Sequence, residues 1–273
     1  MNQVSEYDNK EKFIRVGVFT LRILVTGSTG QLGSTLVKQL KGSDYKVKIT
    51  SRRKPEGLGH FEWVYSDLSS GEGLDAAIKD VDVIIHAATS PIKNSKMVEV
   101  LAFKEFLGKM KHIKHFIYPS IVGIDEIPFK YYKHKYEAEE LLNNCSIPHT
   151  IVRATQFHNF VENLFISKPR FKRYIVPGNF KFQSVDVSEF ASHLIGLVEK
   201  DPQGRADDFC GPDIMTLKEM AELKIQKNKE SNKILSISFP GKLYKSISEG
   251  KNTNSFRKMG KITFGEYLSN KIE

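Results

Sequence analysis

The chain has 273 residues, of which 40% are hydrophobic and 27% are charged, and its formal net charge is +9. This length suits one large α/β domain with at most a small appendage, and the hydrophobic content excludes a chain that is disordered by composition. The lysines are spread widely, as in "KIQKNKESNK". Such spreading is typical of solvated helix faces, so we expect no nucleic-acid partner.

A membrane span and an exported, disulfide-rich protein are both excluded by the sequence pattern. No apolar stretch is long enough to cross a bilayer. The segment "FIRVGVFTLRILV" is preceded by acids, is interrupted by Arg15 and Arg22, and lacks a small-residue cleavage site. Only two cysteines occur, Cys145 and Cys210, and they are far apart. We therefore expect a cytoplasmic protein with no membrane partner and with inert, reduced thiols.

Strand and helix patterns alternate through the first half of the chain. A strand at "RILVTG" precedes a helix over 30–41, and two more strands follow at "KVKITS" and "FEWVYSD". A helix at "GLDAAIKD" leads to the strand "VDVIIHAA", and a helix over 94–110 leads to the strand "HFIYPS". The long helix "YYKHKYEAEELLNNC" then precedes a sixth strand, "HTIVRAT". This alternation predicts an α/β fold with a doubly wound parallel sheet.

The pattern changes after about residue 155. "FKFQSVDVSEFASHLIGLVEKD" and "DDFCGPDIMTLKEMAEL" each predict a strand and then a helix, the second with an N-cap at Thr216 and Glu219 three residues later. A strand at "ILSISFP" and a helix over 264–272 follow. We divide the chain into an extension (1–20), a dinucleotide-binding core (21–155) and a smaller α+β lobe (156–273) that completes the sheet and covers the substrate site. The extension is a flexible tail, an extra strand or a misassigned translation start.

Three glycines stand three residues apart between the first strand and the first helix, in "TGSTGQLG". In a βαβ unit such glycines allow a sharp turn, a close approach of the backbone to a pyrophosphate, and close packing of the helix on the strand. The helix N-terminus also offers free N–H groups to phosphates. A turn without a ligand is the alternative, but the strand-to-helix context favours a dinucleotide. The expected phosphate contacts are Gly27, Ser28, Thr29, Gly30, Gln31, Leu32 and Gly33.

The end of the second strand, about twenty residues past the glycines, distinguishes NAD sites from NADP sites. An NAD site has an acid there for the ribose 2′-OH, whereas this chain has Ser51, Arg52 and Arg53. Two guanidiniums are suited to forked binding of a 2′-phosphate. Unless both arginines are merely solvated, the sequence predicts that NADP(H) is preferred over NAD(H).

The motifs that follow resemble those of atypical and extended short-chain dehydrogenase/reductases, in particular the NmrA-like NAD(P)H-binding oxidoreductases. The shared order runs through "SRR", "SDL", "IIHAATSP", "FIYPSIVGID", "YYKHKYEAEELL" and "IVRATQFH", so the resemblance covers residues 21–200. It implies a Rossmann fold. It also implies further cofactor contacts at Asp67, Leu68, Ala87, Ala88 and Thr89. From the residues alone, Asp67 is also a plausible helix cap, and His86 is more typical of a structural histidine than of a catalyst.

Tyr131 and Lys135 form a YxxxK pair, and positions i and i+4 share one helix face. The resemblance implies that Tyr131 is the general acid for a substrate carbonyl. It implies that Lys135 binds the nicotinamide ribose and lowers the phenol's pKa. Ser120, eleven residues before Tyr131, is expected to orient the carbonyl, although a shift of one residue puts Ile121 at that position. Packing is the alternative role for the tyrosines, and we expect only one of Tyr131 and Tyr132 to point inward.

Three polar residues, Gln156, His158 and Asn159, follow the sixth strand at the carboxyl edge of the sheet, where ligands bind in open α/β folds. They contact the substrate or form a capping and packing cluster. No metal-binding HExxH and no GxSxG elbow are present in the sequence.

These features favour an NADPH-dependent reductase of a small carbonyl, quinone or related conjugated substrate, present as a monomer or homodimer. Two alternatives remain open at this point. One is a non-catalytic NADP(H)-binding sensor or regulator, which the NmrA-like resemblance allows. The other is an epimerase or dehydratase that uses its bound cofactor transiently.

Overall fold

The structure is a computed structural model that describes residues 20–271, so the predicted extension lies, except for residue 20, outside the described residues. Its first six strands are β1 (Arg22–Thr26), β2 (Lys46–Ser51), β3 (Glu62–Tyr65), β4 (Val83–His86), β5 (His115–Ile121) and β6 (His149–Ala154). The later strands are shorter: β7 (Arg173–Val176), β8 (Lys181–Phe182), β9 (Gly204–Arg205), β10 (Met215–Thr216) and β11 (Lys233–Ser236).

Nine α-helices and one π-helical turn are found within the described residues. The α-helices are α1 (Gln31–Leu40), α2 (Leu74–Ile78), α3 (Phe103–Lys109), α4 (Lys130–Asn143), α5 (His158–Phe165), α6 (Val187–Ile195), α7 (Leu217–Lys227), α8 (Lys242–Ser248) and α9 (Phe264–Asn270). The π-helical turn spans Met97–Ala102 and runs directly into α3, so the helix predicted over 94–110 forms in two parts.

A seven-stranded sheet in the order β3-β2-β1-β4-β5-β6-β9 organises the molecule, and every neighbouring pair in it is parallel. The chain order reverses beside β1, which pairs with β2 on one side and β4 on the other. Ligands of open parallel sheets bind at such a switch point, at the carboxyl ends of the strands. The predicted doubly wound Rossmann sheet is confirmed.

The central strands are buried because helices cover both faces of the sheet. Alternate residues of β1 point to opposite faces, so Ile23 and Val25 join the core beside α1 and α6, whereas Leu24 joins the core beside α3 and α4. All three side chains are fully buried. This arrangement holds the loop after β1 rigidly at the carboxyl edge.

The second half of the chain both adds to the sheet and builds a separate cluster. It supplies β9 to the sheet edge and packs α6 against α1. A third core, which includes Val161, Tyr174 and Phe264, lies beside the β7–β11 and β8–β10 pairs. The capping box of α7 forms as predicted, with Thr216 as N-cap and Glu219 returning the bond. Within residues 20–271 no helix has the length and apolarity needed to span a membrane.

Candidate functional site

The turn after β1 has the backbone of a phosphate-binding loop. Gly27 adopts a left-handed conformation (φ +64°), and a Cβ there would lie 2.5 Å from the Ala88 Cα. Gly33 lies against the turn itself, since its Cβ would lie 2.1 Å from the Gly27 carbonyl oxygen. Gly30 is the N-cap of α1, and no side chain caps it. The first turn of α1 also carries no acid. The exposed N-terminus of α1 therefore fits a pyrophosphate.

The polar residues of this turn divide into anchors and exposed groups. Ser28 is an anchor, because both its amide and its hydroxyl donate to the Thr50 carbonyl, at 3.2 and 2.9 Å. Thr29 and Gln31 are exposed, and the Gln31 amide donates to Asn159. Leu32 packs on the core beneath the turn. The sequence did not predict the Gln31–Asn159 contact, which joins two parts of the expected ligand site.

The end of β2 presents two exposed guanidiniums. Arg52 and Arg53 form no ion pair in the part of the chain that the structure describes. Ser51, by contrast, is buried: its hydroxyl accepts from the Trp63 indole at 3.0 Å and donates to the Arg53 carbonyl at 2.5 Å. Ser51 thus shapes the turn that carries the arginines.

Asp67 stabilises the turn after β3 and is not the helix cap of the alternative, since the next helix, α2, begins at Leu74 with Gly73 as its N-cap. One carboxylate oxygen accepts from the Ser69 hydroxyl at 2.6 Å and from the Ser69 amide at 2.9 Å. The Ser69 hydroxyl is the main cause that lowers the pKa of Asp67, and the charge of Arg52 adds to it. Leu68 packs on the core on the α3 and α4 side of the sheet. A role toward adenine stays a prediction for both residues.

The loop after β4 lies against the glycine turn. Ala87 and Ala88 are half-buried there, and the Ala88 amide donates to the Thr26 hydroxyl at 3.2 Å. That hydroxyl also contacts His86 Nδ1 at 3.0 Å. Burial, with the charge of Lys135, lowers the pKa of His86 to about 3, so His86 is a neutral structural residue in an aromatic cluster.

Tyr131 is buried at the start of α4, and its hydroxyl contacts the Thr89 hydroxyl at 2.6 Å. Thr89 in turn donates to the carboxylate of Glu99 at 2.7 Å. Burial, followed by the negative charge of Glu99, raises the pKa of Tyr131 well above its usual value. Burial and Glu99 set the direction of this shift, and a lowering of the pKa by Lys135 stays a prediction.

Lys135 lies on the same buried face of α4 as Tyr131, as the YxxxK spacing predicts. Its ammonium donates to the Pro119 carbonyl at 2.9 Å and lies 3.9 Å from the Tyr118 ring. It is also 3.9 Å from Glu99 Oε2. Burial lowers the pKa of Lys135, and the charges of Glu99 and Glu139 oppose that shift. An ammonium has three donors, so two remain beyond the Pro119 bond, beside Glu99 and the Tyr118 ring.

Ser120 lies near the carboxyl end of β5 with its hydroxyl buried. No partner for this hydroxyl is found among residues 20–271. An unpaired buried hydroxyl is costly and is commonly explained by a ligand, a water molecule or a functional role. A contact to a substrate carbonyl stays a prediction.

The residues expected near the substrate are tied into the protein. Gln156 donates to the Tyr132 hydroxyl at 3.1 Å and accepts from the buried Asn252 amide at 3.1 Å. His158 is buried, with Nδ1 2.8 Å from the Ser184 hydroxyl and Nε2 2.9 Å from the Ile262 carbonyl. Both of its nitrogens are therefore engaged, as in the packing alternative. Burial raises the pKa of Tyr132 to about 12, and its side chain is half-buried, whereas Tyr131 is one of the buried residues of α4.

Two polar residues of this site were missed by the sequence reasoning. Asn252 comes from the loop after α8 and has no motif around it. Glu99 had a visible signal: it lies four and seven residues before Phe103 and Phe106, so it interrupts an apolar helical stripe. A buried acid on such a stripe requires a partner.

Comparison with known proteins gives the same fold and ligand class. A family described as NAD(P)H-binding matches residues 27–181. Among curated relatives, NADH dehydrogenase (ubiquinone) 1 alpha subcomplex subunit 9, mitochondrial, of Arabidopsis thaliana is 24% identical over 245 residues, which is 79% of this chain and 60% of that protein. Divinyl chlorophyllide a 8-vinyl-reductase of Cucumis sativus is 28% identical over 161 residues, which is 50% of this chain and 38% of that protein. The chain spans about half the length of the curated relatives it matches.

Solved structures resemble nearly the whole chain. NADPH-dependent quinone oxidoreductase from Escherichia coli, complexed with NADPH, superposes with a TM-score of 0.78 at 17% identity, covering 92% of this chain and 100% of that one. A nucleoside-diphosphate-sugar epimerase from Staphylococcus aureus gives a TM-score of 0.77 at 18% identity, with coverages of 91% and 99%. At these identities the likeness shows the fold. Since the family match covers more than half of the chain and the glycine turn lies at the switch point of the sheet, this protein belongs to the NAD(P)H-binding family.

Proposed function

We propose that this protein is an NADPH-dependent reductase of a small carbonyl, quinone or related conjugated substrate. One observation carries the proposal: the glycine turn and the Tyr131 hydroxyl are joined by a continuous set of contacts. Gly27 lies against Ala88, and Thr89, the next residue, contacts Tyr131 at 2.6 Å. A dinucleotide whose phosphates lie on α1 would thus extend toward a buried phenol.

The preference for NADPH rests on Arg52 and Arg53. They are exposed, they follow the strand end where an NAD site has an acid, and they have no carboxylate partner within residues 20–271. Family membership establishes NAD(P)H binding, and the fold neighbours include proteins with NADPH and with NAD. The guanidinium pair is what favours the phosphorylated form.

The bound cofactor would supply the hydride, and the residues of the chain would bind it and handle the proton. Tyr131 donates a proton to the substrate oxygen, and the unpaired Ser120 hydroxyl offers that oxygen a second donor. Lys135 offers its two remaining N–H groups to the ribose. The names of several relatives support reduction, among them a bifunctional pinoresinol-lariciresinol reductase of Thuja plicata. A monomer or homodimer stays a prediction.

A second function, NADP(H)-binding regulation without turnover, is favoured by one specific observation. Lys135 contacts Pro119 and Glu99, and the pKa of Tyr131 is raised by burial and by Glu99. A phenol in that state is a weak acid. Two relatives are also not named as reductases: one is a subunit of NADH dehydrogenase (ubiquinone) and the other is a photosystem II assembly factor.

The two functions are separated by measuring NADPH oxidation with a panel of aldehydes, ketones, quinones and enones, alongside calorimetric titration with NADPH. Oxidation that depends on an acceptor supports the reductase. Tight NADPH binding with no such oxidation across the panel supports the regulator and contradicts the reductase.

A further inference from the structure

Glu99 is a buried acid that contacts two elements of the site. It lies on the π-helical turn and is 3% exposed. One oxygen, Oε1, accepts from the Thr89 hydroxyl at 2.7 Å and from the Ser90 amide at 2.8 Å. The other, Oε2, is 3.9 Å from the Lys135 ammonium. Such π-helical turns are rare and occur frequently at functional sites.

The contacts of Glu99 fix the direction of a chain of hydroxyls. An ionised carboxylate only accepts hydrogen bonds, so Thr89 must donate its single proton to Glu99. Thr89 has then no proton left for Tyr131, so in the 2.6 Å hydrogen bond between them Tyr131 is the donor. With Glu99 ionised, the phenol proton therefore points to Thr89.

This direction opposes proton donation to a substrate. If Tyr131 turned its proton to a substrate oxygen, the Thr89 and Tyr131 oxygens would face each other at 2.6 Å with no proton between them. A neutral donor at position 99 removes that conflict. It donates to Thr89, Thr89 donates to Tyr131, and Tyr131 donates outward.

We propose that Glu99 is a positioning residue that sets the direction of the Glu99–Thr89–Tyr131 chain and so determines whether the Tyr131 proton is available to the substrate. The proposal rests on the reductase function, with Tyr131 as its acid. The proton balance is complete: Tyr131 gives its proton to the substrate oxygen, Thr89 gives one to Tyr131, and the protonated Glu99 carboxyl gives one to Thr89. Both electrons come with the hydride from NADPH, and Glu99 ends as a carboxylate beside Lys135.

The groups that face this chain are few. Tyr131 and Lys135 come from α4, Tyr118 comes from β5, and Thr89 and Ser90 come from the loop after β4. A second buried acid, Glu139 of α4, acts on Lys135 and Tyr118 but bonds to Arg153 at 2.7 Å. Glu139 is therefore a matched control for the loss of a buried negative charge.

The kinetic test compares Glu99→Met with Glu139→Gln. Methionine removes the acceptor that holds the Thr89 proton, so Thr89 can donate to Tyr131. We expect kcat of Glu99→Met to exceed that of the unaltered protein about tenfold, because one charge-assisted hydrogen bond no longer has to be given up. Glu139→Gln should change kcat little, because the Glu139 carboxylate bonds to Arg153 and not to Thr89. A lower kcat in Glu99→Met would mean that Glu99 is only the structural partner of Lys135.

Thr89 provides a second arm. Thr89→Val removes the middle hydroxyl, so Glu99→Met should raise kcat no further in that background, whereas it should still raise kcat in Thr89→Ser. If the rise persists in the valine background, the chain does not transmit the effect of Glu99.

A third arm needs neither cofactor nor substrate. Tyrosine labelled with a carbon isotope at Cζ reports the hydrogen bonding of each phenol by NMR, and Tyr131→Phe identifies the Tyr131 signal. Glu99→Met should move that signal, whereas Glu139→Gln should not. A Tyr131 signal that is unchanged in Glu99→Met overturns the proposal. A signal that moves as expected in a protein that reduces no acceptor leaves the chain intact and rejects the reductase function instead.

Discussion

Gly33 packs so closely on Gly27 that a Cβ at position 33 would lie 2.1 Å from the Gly27 carbonyl oxygen. Gly30 differs, because within residues 20–271 a Cβ at position 30 would approach the same oxygen alone, and only to 3.2 Å. The glycines of one motif thus serve different purposes. Gly27 and Gly33 are required by the protein's own backbone, whereas Gly30 leaves its outer side open to a ligand.

The first prediction separates these roles. Gly33→Ala should lower the free energy of unfolding by about 1–3 kcal/mol, because the added methyl group overpacks a rigid turn. Gly30→Val should fold, since its φ of −75° suits any residue, but its side chain should occupy the pyrophosphate position and abolish NADPH binding. Thermal unfolding and NADPH fluorescence enhancement measure the two effects. Retained enhancement in folded Gly30→Val would show that the phosphates bind elsewhere.

The second prediction concerns cofactor choice. NADPH should bind at least about tenfold more tightly than NADH, equivalent to about 1.4 kcal/mol, and replacing Arg52 and Arg53 together by Ala should remove most of that difference. Arg173→Ala, an exposed arginine on β7, should preserve it. Calorimetry of both cofactors on each variant is the measurement. Equal affinities in the unaltered protein would contradict the 2′-phosphate role of the pair.

The third prediction concerns the proton donor. Tyr131→Phe keeps the ring and removes the proton, so kcat should fall about 10²–10⁴-fold with little change in NADPH affinity. Tyr132→Phe is the control, because its oxygen accepts from Gln156 outside the Thr89 contact, and its kcat should change little. Steady-state kinetics on the best acceptor decide the matter. If Tyr132→Phe lost more activity than Tyr131→Phe, Tyr132 and not Tyr131 would be the proton donor.

The fourth prediction concerns stability at low pH. Glu162 is buried, and burial alone would raise its pKa, but bonds from Lys224, Lys271 and Tyr267 prevail and lower it from 4.5 to about 2. A depressed carboxyl pKa stabilises the folded state above the unfolded pKa, and that stabilisation is lost as pH falls toward the folded pKa. Glu162→Gln should therefore cost about 3–5 kcal/mol near neutral pH, since it leaves a buried ammonium unpaired.

Urea unfolding of the two proteins at several pH values tests this expectation. The gap in unfolding free energy should narrow as pH falls from about 4.5 toward about 2, because only the unaltered protein loses the contribution of an ionised carboxylate. If the difference in unfolding free energy between the two proteins stayed constant over this range, the destabilisation by Glu162→Gln would come from packing and not from the lost charge.

The sequence-based predictions are accurate where an element depends on residues close together in the sequence, and they fail where it depends on distant ones. The strand pattern of β1–β6 and the capping box of α7 were predicted correctly, because each depends on residues a few positions apart. The two-residue strand β9 was missed, since it has no periodicity of its own and forms only by pairing with β6. The helix α5 was missed because its start was assigned to a cluster of ligand-binding residues.

The sequence by itself determined the parallel sheet, the glycine turn and the family, because hydrophobic period and the conformational freedom of glycine are local properties. Only the tertiary structure decided the state of each polar group at the site. Both ring nitrogens of His158 are hydrogen-bonded, one to the Ser184 hydroxyl and one to the Ile262 carbonyl. Tyr131 is linked to Glu99 through Thr89. The physical reason is that the direction of a buried hydrogen bond depends on which acceptors the fold brings within reach, and the partners of His158 lie 26 and 104 residues away in sequence.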